Sequence, residues 1–124
     1  MAGIKKAISE CALDNVSFPG KDVIRRYYRF HPAFIGFSGH FPGYPVLPAF
    51  IQVLTVLAMM EEVKGYELIL EALEKAKFHV EIKPDTTIEV TCHERSRMGK
   101  RSIEASLCVD GKLASAFSLV YQAP

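Results

Sequence analysis

Histidine is the side chain that exchanges a proton near neutral pH, so the chemistry open to this 124-residue chain starts with His31, His40, His79 and His93. They show no H-x-x-x-H spacing and no matched acid, which disfavours a metal site. His79 and His93 fall on the polar sides of strand-like segments and are expected to face solvent, while His31, just before Pro32, reads as a packed loop residue. Cys11, Cys92 and Cys108 are odd in number and lack C-x-x-C spacing, so they read as reduced, mostly buried thiols of a cytoplasmic protein. Gly39 and Gly43 are not a phosphate loop, because no Lys-Ser/Thr follows them. His40 has the unusual surroundings. It lies within 32–48, a stretch of four prolines and three glycines that cannot be a regular helix or a central strand. With Phe34, Ile35, Phe37, Phe41, Tyr44, Val46 and Leu47 that stretch is too apolar for a solvent loop, so it reads as a packed loop that lines something.

What must hold the loop follows it directly. Pro48 suits a first helical position, and the run to Gly65 has no breaker until that glycine stops it. From Ala49 to Met60 almost no polar face is left, so the helix must be surrounded by protein, with only its last turn wet. Residues 3–13 and 21–30 contain candidate strands, parted by turn-like Asp14-Asn15 and Pro19-Gly20. From 68 to 82, Leu68, Leu70, Ala72, Ala76, Phe78, Val80 and Ile82 alternate with mostly charged residues, a half-buried strand pattern strongest from Ala76. The earlier ILEALEKA fits either a strand or a helical turn. Pro84-Asp85 is a turn, after which Ile88, Val90 and Cys92, then Ile103, Ala105, Leu107 and Val109, mark two strands. Asp110-Gly111 is a tight hairpin leading to a last strand, Leu113 to Tyr121. One buried helix among antiparallel strands predicts an α+β fold: a strongly curved antiparallel sheet wrapped around one long central helix. An outer edge strand and the loop's apolar surface would still need covering, which predicts a dimer.

Bulk properties set limits. The length is that of a single domain, 1–124, and 49% hydrophobic residues suffice for a core without disulfides. Fifteen basic against fourteen acidic residues give a net charge of +1, so no global field recruits nucleic acid or anionic lipid. The basic cluster Arg95/Arg97/Lys100/Arg101 reads as a solvated face, or more sharply as a landing site for an acidic partner. The N-terminal lysines precede no apolar segment, and the 12-residue apolar run from Ala49 to Met60 is too short to span a bilayer.

Gly39-His40-Phe41-Pro42-Gly43-Tyr44-Pro45-Val46-Leu47-Pro48 resembles the G-H-F-P-x-x-P-hydrophobic-x-P signature of FabA/FabZ-type (3R)-hydroxyacyl-(acyl-carrier-protein) dehydratases at ten consecutive positions. KAKFHVEIKPDTTIEV and VDGKLASAFSLV are similar to that family's strand-turn-strand and closing hairpin, so the resemblance runs from about 25 to 122. Gln52 looks like the glutamine of P-G-V-x-Q-L in the branch associated with aryl polyene clusters. The resemblance implies a hot-dog fold, a dimer, and removal of water from 3-hydroxyacyl thioesters delivered by an acyl carrier protein, with no cofactor and no metal. By it His40 would take the proton beside the thioester, and helix-start N–H groups near Ala49 and Phe50 would hold the thioester oxygen as charge develops. Phe41, Gly43, Tyr44, Val46, Pro48, Ala49, Phe50, Gln52 and Leu54 would form the substrate site.

The departures from the pattern matter as much. Leu54 stands where the family carries its Glu or Asp, fourteen residues after the histidine; Ala49 and Ala58 replace a glycine and a glutamine. Leucine cannot protonate a departing hydroxide, and losing general-acid help costs on the order of 10²–10⁴ in rate. Glu61 lies one heptad farther along the same face, about 10 Å away, too far to substitute without rearrangement. Gln52 could position a water, and Tyr44 and His31 are near enough in sequence to be recruited. Three functions follow: a working dehydratase based on His40, an acyl-carrier-protein-binding or heterodimer partner subunit without chemistry of its own, and a hot-dog thioesterase, against which Leu54 also argues.

Overall fold

A computed structural model describes residues 2–37, 43 and 45–124. Its elements run α1 (Ala2–Ser9), β1 (Ser17–Gly20), β2 (Val23–Arg29), a 3-10 turn (Ile35–Phe37), α2 (Ala49–Lys64), β3 (Ile69–Phe78), β4 (Thr87–Arg97), β5 (Lys100–Val109) and β6 (Lys112–Gln122).

The central helix stops where its sequence dictates and starts one residue later, at Ala49 rather than Pro48. Pro48 caps α2 in an extended conformation, and Gly65 ends it at φ 81°, a left-handed conformation that glycine adopts without Cβ strain. The Gly65 N–H closes the helix by donating to Glu61 O at 2.8 Å. Ile51, Val56, Met59 and Met60 are buried, each stabilising the fold by about 1.5–3 kcal/mol. The first turn differs from expectation: Ala49 and Phe50 are exposed, so the helix is wet at both ends.

The six strands form one antiparallel curved sheet in the order β1-β2-β4-β5-β6-β3. Register explains its inner face. Ile24 pairs with Cys92, Cys92 with Ala105 and Ala105 with Phe117, and this apolar row crosses four strands beneath α2. Asp110 and Gly111, at φ 52° and 75°, make the β5–β6 hairpin with the two left-handed residues that a tight turn of this hand needs.

Three expectations are corrected. Residues 3–13 do not begin with a strand: Ala2–Ser9 is a helix. Ile4, Ile8 and Cys11 recur at helical spacing, and Ile8 is fully buried in the same core as α2. Pro19-Gly20 is not a turn but the end of β1, an edge strand where a proline costs no ladder bond. The third correction concerns β3. The ambiguous segment is strand throughout, yet Leu70, Phe78 and Val80 of its supposed inner face are 40%, 42% and 51% exposed. β3 is the other edge strand, and its register shifts between Leu70/Ala72 and again between Glu74/Lys77. Each shift exchanges the faces, which destroys the simple alternation. Lys75 adopts φ 53° within the second irregularity.

Candidate active site

The loop that carries the histidine ends in described residues at Pro45–Pro48, and these are tied down from two directions. Leu47 N–H donates to Ile82 O at 2.7 Å, holding the loop's end to the chain beyond β3. Gln52, one turn into α2 and only 4% exposed, donates from Nε2 to Leu47 O at 3.1 Å and accepts from Ser115 Oγ at 2.6 Å. Pro48 O accepts the Ile51 and Gln52 N–H groups at 3.1 and 3.2 Å, starting the helix. Pro48 provides no side-chain cap, so no protein side chain at that position covers the first-turn amides.

Beside this helix start lies a groove of about 550 Å³. One wall is Val46, Leu47, Pro48, Ala49 and Gln52; the other is Phe78, His79, Val80 and Glu81. The second wall is fixed to β6: the His79 and Val80 N–H groups both donate to Ala114 O, at 2.8 and 3.1 Å. The Phe78 ring stacks on Phe117 with centroids 6.1 Å apart. The groove thus combines an apolar lining, a helix N-terminus with its partial positive charge, and one buried carboxamide, a combination suited to an acyl chain ending in a polarised carbonyl.

Of the residues expected in the site, Val46, Pro48, Ala49 and Gln52 come together in this groove. His40, Phe41 and Tyr44 lie outside the described residues. Gly43 is exposed at φ 84°, Phe50 is 54% exposed, and Leu54 is buried in the core; none of these three borders the groove. Phe78 and Val80 were not anticipated there, nor was Ser115 as the partner of Gln52. For Ser115 a signal existed, because it interrupts the apolar alternation that continues through Phe117 and Leu119. His31 corrects another expectation: it is exposed, not packed, and its Nδ1 accepts the Ala33 N–H at 3.2 Å. His79 and His93 are exposed as expected. The basic cluster on the β4–β5 hairpin is interleaved with acids: Arg95 pairs with Glu104 at 3.2 Å and Lys100 with Glu74 at 3.5 Å, as on a solvated face. Among the described residues no His/Cys/Asp/Glu cluster could hold a metal ion, and no helix is long and apolar enough to cross a membrane.

The arrangement of one long helix against a curved six-stranded antiparallel sheet, with a groove at the helix start, defines a hot-dog protein. Solved structures agree. The dehydratase heterocomplex ApeI:P from Xenorhabdus doucetiae superposes with a TM-score of 0.74 at 18% identity, covering 90% of this chain and 96% of the other. The (R)-hydratase from A. caviae involved in PHA biosynthesis gives 0.69 at 12% identity, covering 90% and 98%. In sequence, the 3-hydroxyacyl-(acyl-carrier-protein) dehydratase FabZ of Streptococcus equi subsp. zooepidemicus is 36% identical over 93 residues, 68% of this chain. The match spans 66% of that relative's length. The family model described as "ApeI-like: ApeI dehydratase" matches residues 18–115, and the chain belongs to this family.

Proposed function

We propose that the protein is a 3-hydroxyacyl-(acyl-carrier-protein) dehydratase acting on (3R)-3-hydroxyacyl thioesters in fatty-acid or polyene-type biosynthesis. The observation that carries this reading is the groove at the start of α2, whose wall Val46–Ala49 continues directly from the His40 motif. His40 takes the proton from the carbon beside the thioester. Helix-start amides near Ala49 and Phe50 stabilise the enolate oxygen, and the bond to the 3-hydroxyl then breaks. The proton that His40 has taken is then passed to the departing hydroxyl through a water, so the group leaves as water and His40 returns to its neutral form. Elimination changes no net oxidation state, so the step calls for no redox cofactor. The substrate arrives on the phosphopantetheine arm of an acyl carrier protein in the cytoplasm. The exposed apolar residues of edge strand β3 support a dimer, whose second copy covers Ile69, Leu70 and Leu73.

Leu54 favours one alternative. With leucine at the family's acid position, the chain could instead bind acyl carrier protein as the partner subunit of an intact dehydratase. A hot-dog thioesterase is less well supported, since it too needs a group that activates water. Turnover of a short (3R)-3-hydroxyacyl-pantetheine thioester, followed by enoyl absorbance beside His40→Ala, separates the readings. Formation of enoyl product that the substitution reduces by at least about 10² supports the dehydratase. Binding without enoyl product supports the partner subunit, and release of free thiol without enoyl product supports the thioesterase.

A further inference from the structure

We infer that Ser115 is a positioning residue that locks the Gln52 carboxamide, so that one Gln52 N–H is presented to the groove as a fixed donor for a substrate oxygen. The inference rests on the dehydratase reading for the identity of that oxygen, but not for the lock itself.

A carboxamide can flip, exchanging its donor and acceptor ends, unless its partners decide the matter. Here they do. Leu47 O can only accept, so the Gln52 atom 3.1 Å from it must be the nitrogen. The oxygen is then left for Ser115 Oγ, which must donate its proton over 2.6 Å. Ser115 is fully buried, so no water competes for that proton. The Gln52 NH₂ group has two hydrogens, and Leu47 O uses one. The other has no partner among the described residues, while Gln52 itself is part of the groove wall. The neighbouring surface of Val46, Pro48, Phe78 and Val80 is apolar, so an unpaired donor there interacts strongly with an incoming acceptor. An amide holds an oxygen but gives up no proton, so the role of Gln52 is to bind and orient the hydroxyl or the thioester carbonyl. Without the Ser115 hydroxyl the carboxamide loses the contact that fixes its oxygen, and the donor is no longer held toward the groove.

The Gln52 side-chain NH₂ signals in ¹H–¹⁵N spectra report the lock directly, and turnover reports its use. In the native protein the two hydrogens are expected to give well-separated signals, one of which moves when an acyl-pantetheine thioester is added. Ser115→Ala should move the two signals toward the positions of a mobile glutamine and lower kcat on the order of tenfold, with KM within about twofold, the effect of one misaligned hydrogen bond. Ser115→Thr, which keeps the hydroxyl, should restore both readouts; circular dichroism of both variants checks that the fold is intact. Native signal positions that persist in a folded Ser115→Ala protein, or thioester binding that moves neither hydrogen, would overturn the assignment. A native protein without turnover whose Gln52 signal still responds to the thioester sinks the dehydratase reading and leaves the lock standing.

Discussion

Lys5 Nζ lies 2.9 Å from Glu61 Oε1, so the end of the central helix is fastened to the N-terminal helix rather than offered to the groove. The other Glu61 oxygen accepts the Leu68 N–H at 2.8 Å. Both carboxylate oxygens are therefore engaged at the end of α2 opposite the groove, which removes Glu61 as a stand-in for the missing acid.

Glu61→Ala is accordingly expected to act on stability alone. It strands the Leu68 N–H and the half-buried Lys5 charge, at a cost of about 1–3 kcal/mol, and lowers Tm by several degrees. Thermal unfolding followed by circular dichroism measures the loss, and turnover per folded molecule should stay at the native value. A variant with native Tm and collapsed turnover would reinstate Glu61 as a proton donor.

Leu54→Glu supplies the carboxyl that the family pattern carries at this place. Burial favours its neutral form, the direction a general acid needs. Turnover at neutral pH should rise by about 10² or more, the lower end of the range acid assistance spans, and the gain should shrink as pH climbs and the carboxyl ionises. Stability should fall, because Leu54 is now part of the packed core. A pH–rate profile of the variant beside the native protein gives both answers, and a flat ratio across pH would show that position 54 does not face the chemistry.

Edge strand β3 makes a third prediction. Ile69 and Leu73 are 53% and 47% exposed on a strand bonded only to β6 among the described strands. Charging both, with Ile69→Lys and Leu73→Lys, removes apolar area worth about 1.5–3 kcal/mol per side chain and should weaken self-association by about 10² or more. Sedimentation at micromolar protein should show the native chain as a dimer and the variant as a monomer with unchanged secondary structure. If both sediment alike, the covering copy lies elsewhere.

The central helix and the four later strands were legible because each carries its own punctuation: Pro48 and Gly65 around α2, and Asp110-Gly111 between β5 and β6. Half of the groove was legible for the same reason, since Val46, Pro48, Ala49 and Gln52 are neighbours in sequence. Its other wall was not. Phe78 reaches it at the end of β3, Val80 through its bond to Ala114 of β6, and Ser115 meets Gln52 across 63 residues, a contact that only the sheet register creates. α1 was missed because its eight residues give barely two turns of periodicity, and the inner face of β3, though not the strand itself, was misjudged because its bulges scramble alternation.

Alkali should unfold the protein cooperatively. Burial pushes the Cys92 thiol up to about 12, with the Glu94 charge adding to it. Burial likewise pushes the Tyr28 phenol up to about 12, partly offset by the Arg26 guanidinium nearby. Both groups ionise near their ordinary values of 9.0 and 10.0 once unfolded. The unfolded chain then holds fewer protons than the folded one, so stability is fully present below pH 9 and is lost as pH rises toward 12. Unfolding free energies from urea titrations should be level from pH 7 to 8.5 and decline above pH 9, by at most about 2.7 kcal/mol per pH unit once both groups contribute. Values that hold steady to pH 11 would mean that neither group is sealed from water. Thiol labelling at pH 8 offers a second check: partly exposed Cys108 should react first, and Cys92 only after unfolding.

The pairing of β3 with β6 has a consequence for the protein's synthesis. β3 is complete at Phe78, but the strand it pairs with ends at Gln122, so the sheet can close only when the residues up to Gln122 have left the ribosome. Until then α2, emerging with Ile51, Val56 and Met60 uncovered, has no strand from this chain on that side. The nascent protein therefore passes through a sticky, half-walled stage whose length is set by translation speed, and chaperone demand should track how slowly residues 79–122 are made.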